Sequence, residues 1–348
     1  MQNQTIKKIH RRKLFFFLTL LLTGIIGIIF VKNLLVSFLL SIVGYYILKP
    51  IVDFLERRGL SRTLSALVPF VIFILITWVL VKSLLPLLVS QFDQLKSDYP
   101  KYAASFEKLL AEVRVKITQL TDSSSGEKIV GQIQHYLQTT AENIFRDIPE
   151  IISNSLTVLL LAPFLTFFIL IDGRKWLRHL LSLVPNSFFE LALNLNHQIS
   201  TQMGGFIRAR ILETFIIGIV TWLGLIYIQF PYALILAVVA GILNLIPYIG
   251  PFIGAAPAFL IAMSNPELQT NYLLLSFVYI VGQVIDTVIL VPLLVAKIVN
   301  LHPVIVVLAV IIGSQTMGVL GMIISIPLAS VIKVSFESLY THLTEFRH

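Results

Sequence analysis

Residues 241–260 read GILNLIPYIGPFIGAAPAFL, inside an apolar run that extends from Ala233 to Met263. As one helix this run would measure about 46 Å, whereas the hydrocarbon core of a bilayer is about 30 Å thick. The run also contains three prolines and three glycines. Backbone groups freed by proline must be buried in protein or line a wet cavity. We therefore predict that 244–254 is the tip of a re-entrant hairpin or the gap in a discontinuous helix.

The composition is typical of a membrane protein. The chain has 348 residues, of which 57% are hydrophobic and only 13% are charged, with a mean hydropathy of +0.89. Soluble domains are roughly a quarter charged. The net charge of +8 comes from residues between apolar runs. A nucleic-acid partner would require a basic patch on a folded surface, so we expect none. Because cysteine is absent, we expect no disulfides or thiolate chemistry.

Long apolar runs predict an all-α polytopic membrane protein of about eight hydrophobic segments, two of them broken or re-entrant. We interpret the first run as a span, because it is long for a signal peptide and no A-x-A site follows it. The eight runs are 14–31, 34–48, 64–89, 151–171, 211–228, 233–263, 272–295 and 303–332.

Basic residues flank these runs and predict their orientation. The N-terminal KKIHRRK and the short loops 49–63 and 172–210 fall on one side, which the positive-inside rule assigns to the cytoplasm. We expect the C-terminus on that side as well. If 233–263 and 303–332 both fold back, Glu267 lies outside and Lys297 inside, and we favour this arrangement over simple crossings.

Residues 90–150 form the predicted extracytoplasmic segment. Its apolar periodicity indicates two amphipathic helices, the first broken by Pro100. They would lie on the bilayer or form a cap against other subunits of a homo-oligomer. On the cytoplasmic side, 174–207 resembles an interfacial helix anchored by Trp176.

The predicted organisation has five parts. Three spans precede the extracytoplasmic helical segment, a fourth span with the interfacial helix follows it, and a transport core and a cytoplasmic tail complete the chain. The boundaries are 1–89, 90–150, 151–210, 211–333 and 334–348.

No nucleotide-binding, zinc-protease or nucleophile motif is present, so we expect no cofactor and no enzyme. The metal question stays open. Asp286 is the scarcest group, an acid within an apolar helix, and such groups by default mark an ion or solute pathway. Helical spacing places it on one face with Ser276, Tyr279, Gln283 and Thr287. We call these five residues the polar seam. The alternative is that the seam only joins helices through hydrogen bonds.

Two charged residues near the cytoplasmic end of a span are secondary candidates. Arg210 and Glu213 have the i,i+3 spacing of an ion pair, which would explain both without any role in transport.

A second broken run follows the seam helix. Residues 308–329 read LAVIIGSQTMGVLGMIISIPLA. Two interrupted segments separated by an intact helix predict a transport site near mid-membrane, although glycine spacing of this kind also suits close helix packing. The predicted pathway residues are Asn244, Pro247, Tyr248, Gly250, Pro251, Gly254, Gln283, Asp286, Gly313, Gln315, Gly318 and Gly321.

Over nearly its whole length, the chain resembles the autoinducer-2 exporter family of bacterial multi-pass membrane transporters. The resemblance rests on LNLIPYIGPFIG, on Asp286 six positions before Pro292, on PLLVAKIVNLHP and on the ending GVLGMIISIPLASVIKV. Asp286 stands where a Glu is more usual, and Val288 replaces a usual Asn. Ala296-Lys297 occupies the position of a usual Gly-Lys pair, and Arg208-Ala209 occupies that of a usual Arg-Gly pair.

The resemblance implies a secondary transporter in the bacterial cell membrane that moves a small polar solute, with autoinducer-2 as a candidate cargo and H+ or Na+ as candidate coupling ions. Sodium/proton antiport within the same family is the alternative. A non-transporting membrane scaffold is a second alternative, in which 90–150 binds partners. The lipid bilayer is the expected surrounding in each case.

Overall fold

The computed structural model describes residues 32–120, 123–184, 186–247, 249–265, 272–295 and 301–345. The predicted span 14–31, Tyr248, Glu267 and the pair Ala296-Lys297 lie outside these ranges. The described residues are mostly helical and contain no strand, which confirms the all-α class. The helices are α1 Lys32–Arg57, α2 Arg62–Leu120, α3 Ser123–Leu181, α4 Asn186–Tyr227, α5 Ala233–Leu243, α6 Gly250–Ser264, α7 Tyr272–Val284 with a π-helical continuation Ile285–Val295, and α8 Pro303–Glu345.

Five helices in the described part of the chain are long and apolar enough to cross a membrane, which confirms the polytopic class. The number of hydrophobic segments stays a prediction. The five are Leu34–Arg57, Arg62–Glu112, Phe189–Tyr227, Tyr272–Leu294 and Gly321–Ser338, and the shorter apolar helices are Ala233–Leu243, Gly250–Ser264 and Pro303–Thr316.

Helices α2 and α3 are much longer than a membrane is thick. Each has 59 residues and would extend about 88 Å, against about 30 Å of hydrocarbon. The predicted break at Pro100 was wrong, because α2 continues through it. One missing amide donor is a small loss among the many backbone hydrogen bonds of so long a helix.

The predicted single interfacial helix over 174–207 was also wrong. α3 ends at Leu181, a turn covers 182–184, and α4 begins at Asn186. The sequence supplies the reason, since the residue before Pro185 is biased away from helical dihedrals. Trp176 lies exposed on the last turns of α3.

One of two compact units contains the N-terminal residues to Ile76 together with 150–204 and the C-terminal residues from Val334. Within it, Arg62 donates to Glu56 (2.9 Å) and to the Leu170 carbonyl, and Arg174 donates to Asp53 (2.8 Å). These bonds join the start of α2 to the end of α1 and the last turns of α3. Two of the predicted basic loops therefore lie side by side.

The other unit comprises 77–149 and 205–333. In it, the run 233–263 is divided into α5 and α6, which confirms the predicted break. The break covers 244–249, whereas 250–254 of the predicted stretch belong to α6. The two helices pack against each other as a hairpin. A Cβ built on Gly254 would lie 3.0 Å from Ala240 Cα, and one on Gly250 would overlap the Leu243 carbonyl oxygen. Only glycine fits at such close contacts.

The second predicted break is at Gly318 within α8. Gly318 has φ 61° and ψ −139°, outside helical dihedrals. A Cβ on Gly313 would overlap the Gly321 carbonyl oxygen and lie 2.9 Å from Ser325 Cβ. In a straight helix, residues 313 and 321 would be about 12 Å apart. The chain therefore reverses at Gly318 and forms a second hairpin.

Candidate functional site

The close packing of α4 against α5 determines which residues meet at the site. A Cβ on Gly241 would lie 2.9 Å from the Thr214 carbonyl oxygen and 3.2 Å from Gly218 Cα. Small residues allow backbones to approach in this way. The contact places Glu213, one residue before Thr214, next to Asn244 at the C-terminal end of α5.

Helix α7 packs against α4 in the opposite direction. A Cβ on Gly224 would lie 2.5 Å from a Val278 methyl group, and one on Gly282 would lie 3.9 Å from Thr221 Oγ1. As the chain continues past Gly282, it approaches the earlier part of α4. Asp286 therefore arrives beside Asn244.

Four side chains from three elements form one hydrogen-bonded group, which we call the acidic cluster: Arg210, Glu213, Asn244 and Asp286. Asn244 Nδ2 donates to Glu213 Oε1 and to Asp286 Oδ1, at 3.3 Å each. Arg210 Nη1 donates to Glu213 Oε1 at 2.6 Å. Glu213, Asn244 and Asp286 are only 1%, 4% and 7% exposed. The two carboxylates share one amide nitrogen, so their bonded oxygens cannot be farther apart than twice 3.3 Å.

The charges of this cluster do not balance when both acids are ionised. One guanidinium faces two carboxylates, which leaves one negative charge in the protein interior, where uncompensated charge is costly. Glu213 Oε2 and Arg210 Nε are buried without a hydrogen-bond partner among the described residues. One proton or one monovalent cation would neutralise the cluster.

A cavity of about 380 Å³ adjoins the cluster. Four of the five seam residues line it, namely Ser276, Tyr279, Gln283 and Asp286, and Gln283 Nε2 donates to the fifth, Thr287, at 2.9 Å. The remaining wall comes from α4, α5, the α5–α6 turn, α6 and the rest of α7, and it consists of Ile217, Thr221, Ala240, Asn244, Pro251, Phe252, Ala255, Ala256, Phe259, Ile280 and Gly282.

Asp286 lies at the start of the π-helical segment Ile285–Val295. π-Helical turns are rare and frequently occur at functional sites, because the extra residue changes where the following side chains point. Pro292 lies inside the segment and removes one amide donor from it. Sequence periodicity did not predict this change of helix type.

The predicted pathway residues divide into two groups. Asn244, Pro251, Gln283 and Asp286 meet at the cavity, while Gly250 and Gly254 bring α6 against α5, and Pro247 lies in the turn between these helices. No described residue of α8 lines the cavity. In α8, Gly313 and Gly321 are buried, and Gln315 and Gly318 are exposed.

The second hairpin instead contacts the turn of the first. Ile246, in the 244–249 turn, shares a buried apolar cluster with Phe206 and with Val310 and Ile326 from the two arms of α8. α8 thus supports the turn that carries Asn244.

The i,i+3 pair of Arg210 and Glu213 is confirmed, at 2.6 Å. The sequence did not predict that Glu213 is fully buried and bonded to Asn244 as well. A carboxylate so far from Asn244 and Asp286 along the chain gives no local signal of contact with them. The one sequence feature that could have indicated this contact is that Glu213 is an acid within an otherwise apolar span.

The distal part of α2 contacts the beginning of the first hairpin. Gln91 Oε1 accepts a bond from the Ile235 amide (3.0 Å), and Tyr232 donates to Asp98 Oδ2. The Tyr102 and Tyr232 hydroxyls are 3.1 Å apart. Burial and the bond to Asp98 raise the pKa of Tyr232, so its hydroxyl stays protonated at neutral pH. Nothing in the sequence predicted this contact.

Metal-binding groups of three or more His, Cys, Asp or Glu residues are absent from the described ranges. The acidic cluster offers carboxylate and amide oxygens, the ligand type of hard cations.

Sequence comparison identifies the family of the chain. Residues 18–341 match the sequence model described as AI-2E family transporter. YrrI of Bacillus subtilis (strain 168), named as a candidate transport protein, is 31% identical over 307 residues, covering 87% of this chain and 86% of YrrI. PerM of Escherichia coli (strain K12), named as a candidate permease, is 29% identical over 319 residues, covering 91% of this chain and 90% of PerM.

Proposed function

This chain belongs to the AI-2E transporter family, and we propose that it is a secondary transporter that moves a small polar solute across the bacterial cell membrane. In this proposal the acidic cluster binds a proton or monovalent cation and releases it on the other side. One observation carries the proposal. Asn244 bonds the buried carboxylates of Glu213 and Asp286, at 3.3 Å each, and Asn244 and Asp286 lie on the wall of a cavity.

The link between ion and solute follows from the charge of the cluster. Arg210 neutralises only one of the two acids, so the occupied and empty cluster differ by one charge in a low-dielectric interior. A bound ion changes the relative free energies of two conformations only if it binds them unequally. The acidic cluster is assembled from α4, the α5–α6 turn and the π-helical segment. A movement of the turn would therefore change the affinity of the cluster for the ion.

Two kinds of cargo are candidates. Autoinducer-2 is a small polar solute and is supported by the resemblance of the α5–α6 stretch to its exporter family. Cation/proton antiport without organic cargo is the second candidate, and the single excess negative charge favours it. Flux measurements with and without a candidate solute distinguish the two.

The proposed membrane arrangement has both hairpins re-entering the bilayer and both termini in the cytoplasm. In support, α5 and α6 have 11 and 15 residues, roughly 16 Å and 22 Å, so each is too short to cross 30 Å of hydrocarbon. The adjacency of Arg62 and Arg174 supports a shared side for their loops.

Cysteine labelling of intact cells tests this arrangement, since the chain contains no native cysteine. We expect Glu267→Cys to react with an impermeant reagent added outside, and Lys297→Cys to react only after permeabilisation. The reverse pattern would indicate crossing segments.

Flux through proteoliposomes tests the coupling role. An imposed pH gradient is followed with a trapped dye as Na+ or K+ is added outside. We expect Asp286→Asn and Glu213→Gln each to lower cation-dependent proton flux at least about 10-fold, an effect of about 1.4 kcal/mol or more.

Asp172→Asn is the matched control, because it neutralises a carboxylate that pairs with Lys175 at 2.8 Å, outside the cluster. In the described part of the chain, the titratable groups that face the site are Arg210, Glu213, Asp286 and Tyr279, and changes in pH dependence are to be attributed among these four. Wild-type ion dependence and rate in both cluster variants would remove the coupling role.

A further inference from the structure

The walls of the 380 Å³ cavity carry charge of one sign only. Asp286 is the one carboxylate among the described lining residues, and none of them is Lys, Arg or His. Arg210 does not line the cavity, and its Nη1 is bonded to Glu213. A solute inside the cavity therefore meets a negative group without a neighbouring positive one.

Aromatic rings form another part of the wall. Phe252, Phe259 and Tyr279 line the cavity, and the rings of Phe259 and Tyr279 are 6.0 Å apart at an interplanar angle of 42°. The face of an aromatic ring carries partial negative charge and attracts ammonium groups. The aromatic rings and the Asp286 carboxylate thus both favour a positively charged ligand.

Hydroxyl groups complete the wall. Thr221 and Ser276 line the cavity and offer oxygen acceptors to an N–H donor. The Tyr279 hydroxyl is buried without a hydrogen-bond partner in the described part of the chain. Because a hydroxyl both donates and accepts, these groups can accept bonds from an ammonium group, and the preference for positive charge comes from Asp286 and the rings.

We infer that the cavity binds a compact organic solute carrying a protonated amine, with the ammonium group near Asp286 and the body of the solute against the aromatic rings. Carboxylates and phosphates are excluded, because they would lie near Asp286 with no counter-charge on the wall. At about 30 Å³ per water-sized group, the cavity holds a solute of about a dozen non-hydrogen atoms. The inference rests on the proposed function, since it treats this cavity as the solute site of the transporter.

The test uses three solutes that share a three-carbon skeleton and differ in charge: 2-amino-1,3-propanediol, glycerol and glycerate. Binding to the purified full-length protein in detergent is measured from the shift in thermal unfolding temperature, at pH 7 and constant ionic strength. We expect the amine to bind at least 10-fold more tightly than glycerate, with glycerol between them. Equal binding of amine and glycerate, or no shift with the amine, would overturn the inference.

Variants assign the effect to the cavity. Asp286→Asn should bring the affinity for the amine to within about 2-fold of that for glycerol, and Asp286→Glu should keep the wild-type order. Phe259→Leu should weaken amine binding about 3-fold and leave glycerol binding unchanged. Phe277→Leu is the control, because this exposed aromatic residue of α7 does not line the cavity. An amine preference that persists in Asp286→Asn would place the amine elsewhere and overturn the inference.

This test is separate from that of the proposed function. Solute binding is measured without a membrane gradient, whereas coupling is measured as ion-dependent flux. Wild-type protein that shows coupled flux but no preference for the amine would contradict this inference alone. An amine preference in a protein whose flux ignores Asp286→Asn and Glu213→Gln would contradict the coupling proposal alone.

Discussion

The two broken apolar segments of this chain differ in what lies at the break. In the first, α5 and α6 are separated by a turn that begins at Asn244, a buried amide bonded to two carboxylates. In the second, α8 reverses at Gly318, an exposed residue at which an added Cβ would have no described atom from elsewhere in the chain within 4 Å. The first break presents polar atoms to a cavity, and the second lets two helical arms pack closely.

This difference shows that glycine and proline in an apolar run predict a break but not its role. The role depends on the polar residue at the break and on what faces it from other helices. Asn244 meets Glu213 and Asp286, whereas Gly313 and Gly321 meet each other. The break at Asn244 is the one whose polar side chain joins an ionisable cluster.

Removing the polar residue at each break should give the largest contrast. Asn244→Ala leaves two buried carboxylates without their shared donor, so we expect cation-dependent flux in proteoliposomes to fall at least about 10-fold. Gln315→Ala, an exposed amide near the second break, should change that flux less than about 2-fold. A larger loss from Gln315→Ala would mean that the second break contributes to the pathway directly.

Adding a side chain where the two arms of a hairpin are in close contact should destabilise the protein, at either hairpin. A Cβ on Gly250 or Gly313 overlaps a backbone carbonyl oxygen, so alanine at either position should cost about 1–3 kcal/mol or more, seen as a lower unfolding temperature. Gly131→Ala, in helix α3 with nothing within 4 Å, is the control and should be neutral or slightly stabilising. Similar unfolding temperatures for all three variants would contradict the close packing at Gly250 and Gly313.

The turn at Gly318 should be less sensitive than these contacts. Among the described residues, no atom lies within 4 Å of an added Cβ, so the expected penalty on Gly318→Ala comes from the positive φ of 61°. We expect a loss of roughly 1–2 kcal/mol in thermal unfolding, smaller than that of Gly313→Ala. If Gly318→Ala is the more harmful of the two, backbone strain and not packing limits the second hairpin.

The contact between α2 and the first hairpin should have the smallest effect. Tyr232→Phe removes the hydroxyl that donates to Asp98 but keeps the ring packed against Tyr102. We expect about 1 kcal/mol of destabilisation and little change in flux. Tyr102→Phe removes the weaker partner and should cost less, and the opposite order would contradict this assignment of donors.

The sequence predicted both breaks because each run is longer than the bilayer and contains residues that cannot continue a helix. It predicted the seam around Asp286 because helical spacing is local. It could not predict the acidic cluster, since contact between Glu213 and Asn244 depends on the close approach of α4 and α5 at Gly241. The sequence did not predict that α2 continues through Pro100. The local cost of proline in a helix was considered there without the many hydrogen bonds of so long a helix.

The central claim is that Glu213 and Asp286 act as one unit through Asn244. A double-mutant cycle of Glu213→Gln, Asp286→Asn and the double variant, measured as cation-dependent proton flux in proteoliposomes, tests it most directly. Residues that act as a unit are non-additive, so the double variant should lose about as much as the more damaging single variant. Losses that multiply, as for two independent sites, would contradict the claim.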